Sequence, residues 1–193
     1  MTCGLDVVVD GDGGVNDRLG MRDSLVLTVI GPDRTGLVEA LADRISSVGG
    51  NWEASRMAQL AGQFAGILLV TVERARTDEL VAALRGLGGA GLQVSAHPAE
   101  GATVSVDAQQ VFLELTGDDR VGIVRDVSRI LTERGVNVEE LESMVLSAPM
   151  SGEPLFSARA VLRVPPTLAL SDLRAALETL GSELMVDLET AED

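Results

Sequence analysis

A chain of 193 residues with 46% hydrophobic content can bury one or two ordinary cores, and with only 2% aromatic residues those cores must be built from Leu, Val, Ile and Ala. The formal net charge of -15 excludes the basic footprint that nucleic acid or an anionic membrane surface requires, and because all 15 basic residues are Arg, Schiff-base and P-loop lysine chemistry are excluded as well. The single Cys3 leaves no intramolecular disulfide, and the single His97 leaves no multi-histidine metal site, so a reducing, cytoplasmic setting is expected. No run approaches 18 consecutive apolar residues and no basic start leads into an apolar core, so neither a membrane span nor a signal peptide is expected.

Residues 1–22 read as a mobile leader. Its Asp10-Gly11-Asp12-Gly13-Gly14 cluster has Gly14 and Val15 where a calcium loop needs a ligand and a glycine, so no metal is assigned. The first domain, 23–97, opens with an apolar run at Leu25–Ile30 that predicts a buried strand. Leu37, Val38, Leu41, Ile45 and Val48 then recur at helical spacing up to Gly49-Gly50. Asn51–Leu60 and Phe64–Val72 predict a hairpin joined through Ala61-Gly62-Gln63. Thr77 is expected to cap a helix with Asp78 and Glu79 in its first turn and Leu80, Val81, Leu84 and Leu87 on its apolar face, before a last strand near Leu92–Ala96.

After a linker at 98–109, the second domain, 110–193, repeats this order in Val111–Leu115, Val121–Glu133, Asn137–Ser147, Leu155–Val164, Ser171–Leu180 and Leu184–Leu188. Strand, helix, strand, strand, helix, strand is the ferredoxin-like βαββαβ order, with both helices on one face of an antiparallel sheet, so the class is α+β. The repeat is direct. Gly31-Pro32-Asp33-Arg34-Thr35-Gly36-Leu37-Val38 returns 86 positions later as Gly117-Asp118-Asp119-Arg120-Val121-Gly122-Ile123-Val124. Over the gapless alignment Leu27, Gly31, Asp33, Arg34, Gly36, Val38, Gly49, Asn51 and Glu53 equal their partners.

The recurring Gly-x-Asp-Arg-x-Gly-[Leu/Ile]-Val loop, followed by a Gly and by Asn51 or Asn137, resembles the ACT domain, and two copies in tandem resemble the glycine cleavage system transcriptional repressor family. The resemblance spans roughly Ser24–Ala96 and Gln110–Leu188. It implies modules that bind amino acids at interfaces between domains, and Asp33, Arg34, Gly36, Leu37 and Asn51 in the first copy and Asp119, Arg120, Gly122, Ile123 and Asn137 in the second are the expected ligand-binding positions. Thr35 and Val121 stand where many family loops carry Pro.

The loop chemistry points the same way. A helix start offers free N–H donors to a carboxylate, and Gly36 or Gly122 lets a ligand approach the backbone. Asp33 and Asp119 can receive an ammonium group, and Asn51 and Asn137, expected beside the loop, supply both donor and acceptor. The plainer alternative is an Asp that only caps, a Gly that only turns and an Arg that is only solvated. Other motifs fail on context: Gly86–Gly91 spells a dinucleotide fingerprint but follows a helix and precedes a strand. His97 reads as a surface residue, the acid pairs Asp118-Asp119 and Glu139-Glu140 as solvated charge, and Trp52, Met57 and Met144 as core or interface.

The expectation is therefore a non-enzymatic regulator without cofactor that senses a small amino acid, with glycine the implied candidate. It signals to a protein partner, a DNA-binding regulator or a metabolic enzyme, and does not touch DNA itself. The alternative is a ligand-free ACT dimerisation or regulatory subunit. A homodimer is expected in either case, because sheets with helices on one face leave an edge to cover.

Overall fold

The computed structural model describes residues 22–99, 108–148, 152–181 and 184–190. The chain divides into two compact units, Met1–Ala102 and Thr103–Asp193. The first runs β1 (Arg22–Pro32), α1 (Leu37–Ser47), β2 (Asn51–Leu60), β3 (Gln63–Glu73), α2 (Thr77–Arg85) and β4 (Gln93–Pro98), with an antiparallel sheet in the order β2-β3-β1-β4. The second runs β5 (Gln109–Asp118), α3 (Ile123–Glu133), β6 (Asn137–Ser147), β7 (Pro154–Val164), α4 (Leu170–Glu178) and β8 (Met185–Thr190), ordered β6-β7-β5-β8. Each is the ferredoxin-like βαββαβ arrangement, and the chain is α+β.

Strand alternation decides which face is covered. In β1 the side chains of Leu25, Leu27 and Val29 are buried while Ile30 is half exposed, and α1 meets that buried row with Leu37, Leu41 and Ile45. From α2 come Leu80 and Leu84, and from β3 Leu68, Val70 and Val72, which complete an aliphatic first core with Trp52 and Met57 packed at its margin. The second core repeats this with Val111, Leu113, Leu115, Ile123, Ile130, Leu131, Leu173 and Leu177, and adds Phe156. At the first hairpin, Ala61 and Gly62 both take positive φ, 49° and 79°, the mirror-image two-residue turn that suits the twist of antiparallel strands.

Some expectations need correction. Thr77 does not cap α2: the cap position is Arg76, and the Thr77 hydroxyl donates instead to Asp23 Oδ2 at 2.8 Å, an acceptor 54 residues away in sequence. Of the expected leader, Arg22 already belongs to β1, where its guanidinium donates to the Thr71 carbonyl. The rest, with the Asp10–Gly14 cluster, lies outside the described residues. The linker reading also lies largely outside them, although Pro98 closes β4 and Gln109 opens β5. Gly86–Gly91 follows α2 and precedes β4, with Gly86–Ala90 forming a short 3-10 turn.

Candidate functional site

In both units the loop leaves the first strand and enters the helix through a left-handed glycine, φ 89° at Gly36 and 88° at Gly122. An L side chain is strained there, so the recurrence of this glycine has a backbone cause before any ligand is considered. Neither α1 nor α3 has a side-chain cap. Asp33 and Asp119 therefore are not caps. The Asp33 N–H donates to the Gly62 carbonyl at 2.8 Å and the Asp119 N–H to that of Pro154 at 3.1 Å, which pins each loop to the hairpin beside it. Both carboxylates are exposed and make no side-chain hydrogen bond or ion pair among the described residues. Arg34, Gly36 and Arg120 are likewise exposed. Leu37 and Ile123, singled out with them, are each only 5% exposed and belong to the cores rather than to the loop surface.

The expectation that Asn51 and Asn137 lie beside the loops is corrected by the register. Asn51 pairs with Thr71, which pairs with Ser24, whereas the loop end of β1, Pro32, pairs with Gln63 at the far end of the sheet. From Ser24 to Pro32 is eight residues, about 26 Å at the ~3.3 Å rise of a strand. The second unit repeats the geometry, Asn137 lying across Arg163 from Gln110 while Asp118 meets Leu155. The physical reason is topological. A helix carries the chain back before β2 begins, so the start of β2 lies at the end opposite the loop.

At that end the recurring glutamate is built into the sheet edge. The pairing register skips Glu53 between Trp52 and Ala54, and skips Glu139 between Val138 and Glu140, so each glutamate is the extra residue of a β-bulge on an edge strand. Glu53 accepts from Asn51 Nδ2 at 2.9 Å and from Thr71 Oγ1 at 2.8 Å, and these bonds hold its carboxyl below the ordinary glutamate value. Glu139 is held by Arg163 Nε at 2.8 Å and by Gln110 Nε2 at 3.5 Å. The signal was present in the sequence, since Glu53 is among the repeated positions.

With that geometry in hand, comparison with known proteins is decisive for the family. Residues 23–97 match the model of the ACT domain. A crystal structure of an unknown protein from Galdieria sulphuraria is 32% identical, covers 89% of this chain and 99% of its own, and superposes with a TM-score of 0.79. The chain belongs to the ACT-domain family. A structure described as a "putative glycine cleavage system transcriptional repressor" shares the fold at 20% identity and TM-score 0.66, over 89% of this chain and 99% of that one. Among curated proteins no sequence match was found.

In the second ACT unit the start of α3 carries a cluster that sequence reasoning did not single out. Asp126, only 7% exposed, accepts from Arg120 Nη1 at 2.7 Å, from Arg125 Nε and Nη2 at 3.1 and 2.9 Å, and stands 3.5 Å from Arg129 Nη2. The spacing 125, 126, 129 on a helix was its only advance sign, because Arg120 joins from the loop. The Arg120 bond, then the Arg125 bonds, hold the Asp126 carboxyl below its ordinary 3.8. A carboxyl more acidic in the folded than in the unfolded chain stabilises above the unfolded value, and that contribution disappears as pH falls through the folded one. Melting temperature is accordingly expected to fall as pH is taken from 5 toward 3, with a shallower fall in Asp126→Asn; thermal melts across that range check both. Among the described residues no His, Cys, Asp and Glu cluster can hold a metal ion, and no helix is long and apolar enough to cross a membrane.

Proposed function

We propose that this chain is a non-enzymatic cytoplasmic regulator that binds a small amino acid at its Asp-Arg loops and passes occupancy to a protein partner, a DNA-binding regulator or a metabolic enzyme. The observation that carries the reading is the repeated loop itself: an exposed aspartate with no side-chain partner among the described residues, fixed by its own main chain to a hairpin, beside a helix start that no side chain caps. A ligand's α-carboxylate fits the first-turn N–H groups, and its ammonium group fits Asp33 or Asp119. Glycine is the first amino acid to test, given the resemblance of the tandem and the shared fold of the repressor-like structure. With a net charge of -15, contact with DNA is left to the partner, and a gel shift with the pure protein is expected to show no complex.

Thermal unfolding with each of the twenty amino acids tests the proposal. A ligand that binds only the folded state adds about 2.7 kcal/mol at a hundred times its dissociation constant, so the right amino acid raises the melting temperature and the others do not. A flat response to all twenty refutes it.

One observation favours a second reading, a ligand-free dimerisation module. The edge strand β6 leaves Val138, Leu141, Met144, Val145 and Leu146 exposed, beside an apolar groove under α3 lined by Val124, Val127 and Leu131. An apolar edge is a surface that proteins ordinarily cover. On that reading light scattering gives a dimer above the 20.2 kDa chain mass while no amino acid shifts the melt.

A further inference from the structure

The two loops differ in charge where they are otherwise the same. A Cβ built on Gly36 would stand 3.9 Å from Glu39 Oε2, whereas one built on Gly122 would stand 3.2 Å from Arg125 Nη2. One loop glycine is thus overhung by a carboxylate and the other by a guanidinium. The difference extends along the helix. By the 86-residue offset, Arg125, Asp126 and Arg129 replace Glu39, Ala40 and Asp43.

Asp126 gathers the arginines of the second unit. Its two oxygens are the common acceptor for Arg120, Arg125 and Arg129, so three guanidinium groups share one carboxylate. The arrangement places like charges close together with a single counter-charge beneath them. Arg125 and Arg129 keep 76% and 60% of their side-chain surface open, so a further oxyanion can reach their unused donors. A carboxylate suits the planar fork of a guanidinium. Asp118 and Asp119 belong to none of these ion pairs, which leaves Asp119 for an ammonium group.

We infer that the second unit takes an acidic amino acid, its side-chain carboxylate on Arg125 and Arg129, and that the first unit, with Glu39 and Asp43 at those positions, does not. This rests on the amino-acid reading of the loop and adds to it a division of labour between the copies.

Calorimetric titration of the full chain with L-aspartate, L-glutamate, glycine and succinate tests it, on the wild type and on a variant carrying Arg125→Gln with Arg129→Gln. The inference expects an acidic amino acid to bind once per chain, more tightly than glycine. The double variant should lose about tenfold or more in affinity for it, the range of a charged hydrogen bond, while its glycine response is unchanged. Both arginines also hold Asp126, so the double variant is expected to melt somewhat below the wild type and the titrations are run well below its transition; Arg125→Lys should retain part of the affinity. Acidic amino acids binding no better than glycine, or binding equally well to the double variant, overturns the inference and leaves the loop reading standing. Succinate binding at the arginines with no response to any amino acid overturns the loop reading, and the acidic-amino-acid inference with it.

Discussion

Replacing Leu27 by Ala is expected to destabilise the first ACT unit by about 2–5 kcal/mol, the cost of deleting a buried leucine and leaving a cavity. Leu27 is fully buried on the central strand β1, hydrogen-bonded between β3 and β4, and belongs to the core that both helices cover. A cavity there has rigid walls on the sheet side and cannot close cheaply. Domains are stable by only about 5–15 kcal/mol, so the loss is a large fraction of the total. Trp52, the sole tryptophan, packs against this same core, so urea unfolding followed by its fluorescence reports the first unit selectively. The denaturation midpoint should drop well below that of the wild type.

Gly31→Ala is expected to cost about 1–3 kcal/mol, as overpacking does. A Cβ at Gly31 would lie 2.5 Å from the Gly91 carbonyl oxygen and 3.2 Å from Leu92 Cα. Both are backbone atoms, so no side chain can swing aside, and β1 and the segment entering β4 would have to part. A tryptophan-detected midpoint equal to that of the wild type would contradict this. The prediction also separates two meanings of recurrence. Gly31 comes back as Gly117 in the motif, yet its role in the first unit is close packing behind the loop rather than contact with a ligand.

That separation runs through what was legible in the sequence. An apolar run marks β1, helical spacing marks α1, the repeat carries both to β5 and α3, and Asn51–Leu60 and Asn137–Ser147 coincide with β2 and β6. These are local properties of the chain. Thr77 was misread because its hydroxyl answers to Asp23, a partner no local rule reveals. Leu37 and Ile123 stand inside the motif but follow the helical period into the core, so periodicity outranked motif membership. Strand direction, which a list of local motifs does not carry, puts Asn51 and Asn137 away from the loops. The βαβ order already implies that β2 starts at the end of the sheet away from the loop, and the register makes the separation explicit. The Arg120, Arg125, Arg129 and Asp126 cluster joins a loop residue to a helix face, a meeting visible only once the left-handed turn at Gly122 is known.

We propose that Asp33 and Asp119 hold the ammonium group of an amino acid. Their carboxylates have no side-chain partner among the described residues, and the main-chain bonds to Gly62 and Pro154 survive a change to Asn, so Asp33→Asn with Asp119→Asn should fold and melt as the wild type does. The most direct test is calorimetric titration of both proteins with the amino acid that most raises the wild-type melting temperature. Saturable binding to the wild type and its loss by about tenfold or more in the double variant is the predicted result, since a charged hydrogen bond is removed at each site. Equal affinity in the two proteins would contradict the claim and reduce the loops to joints between strand and helix.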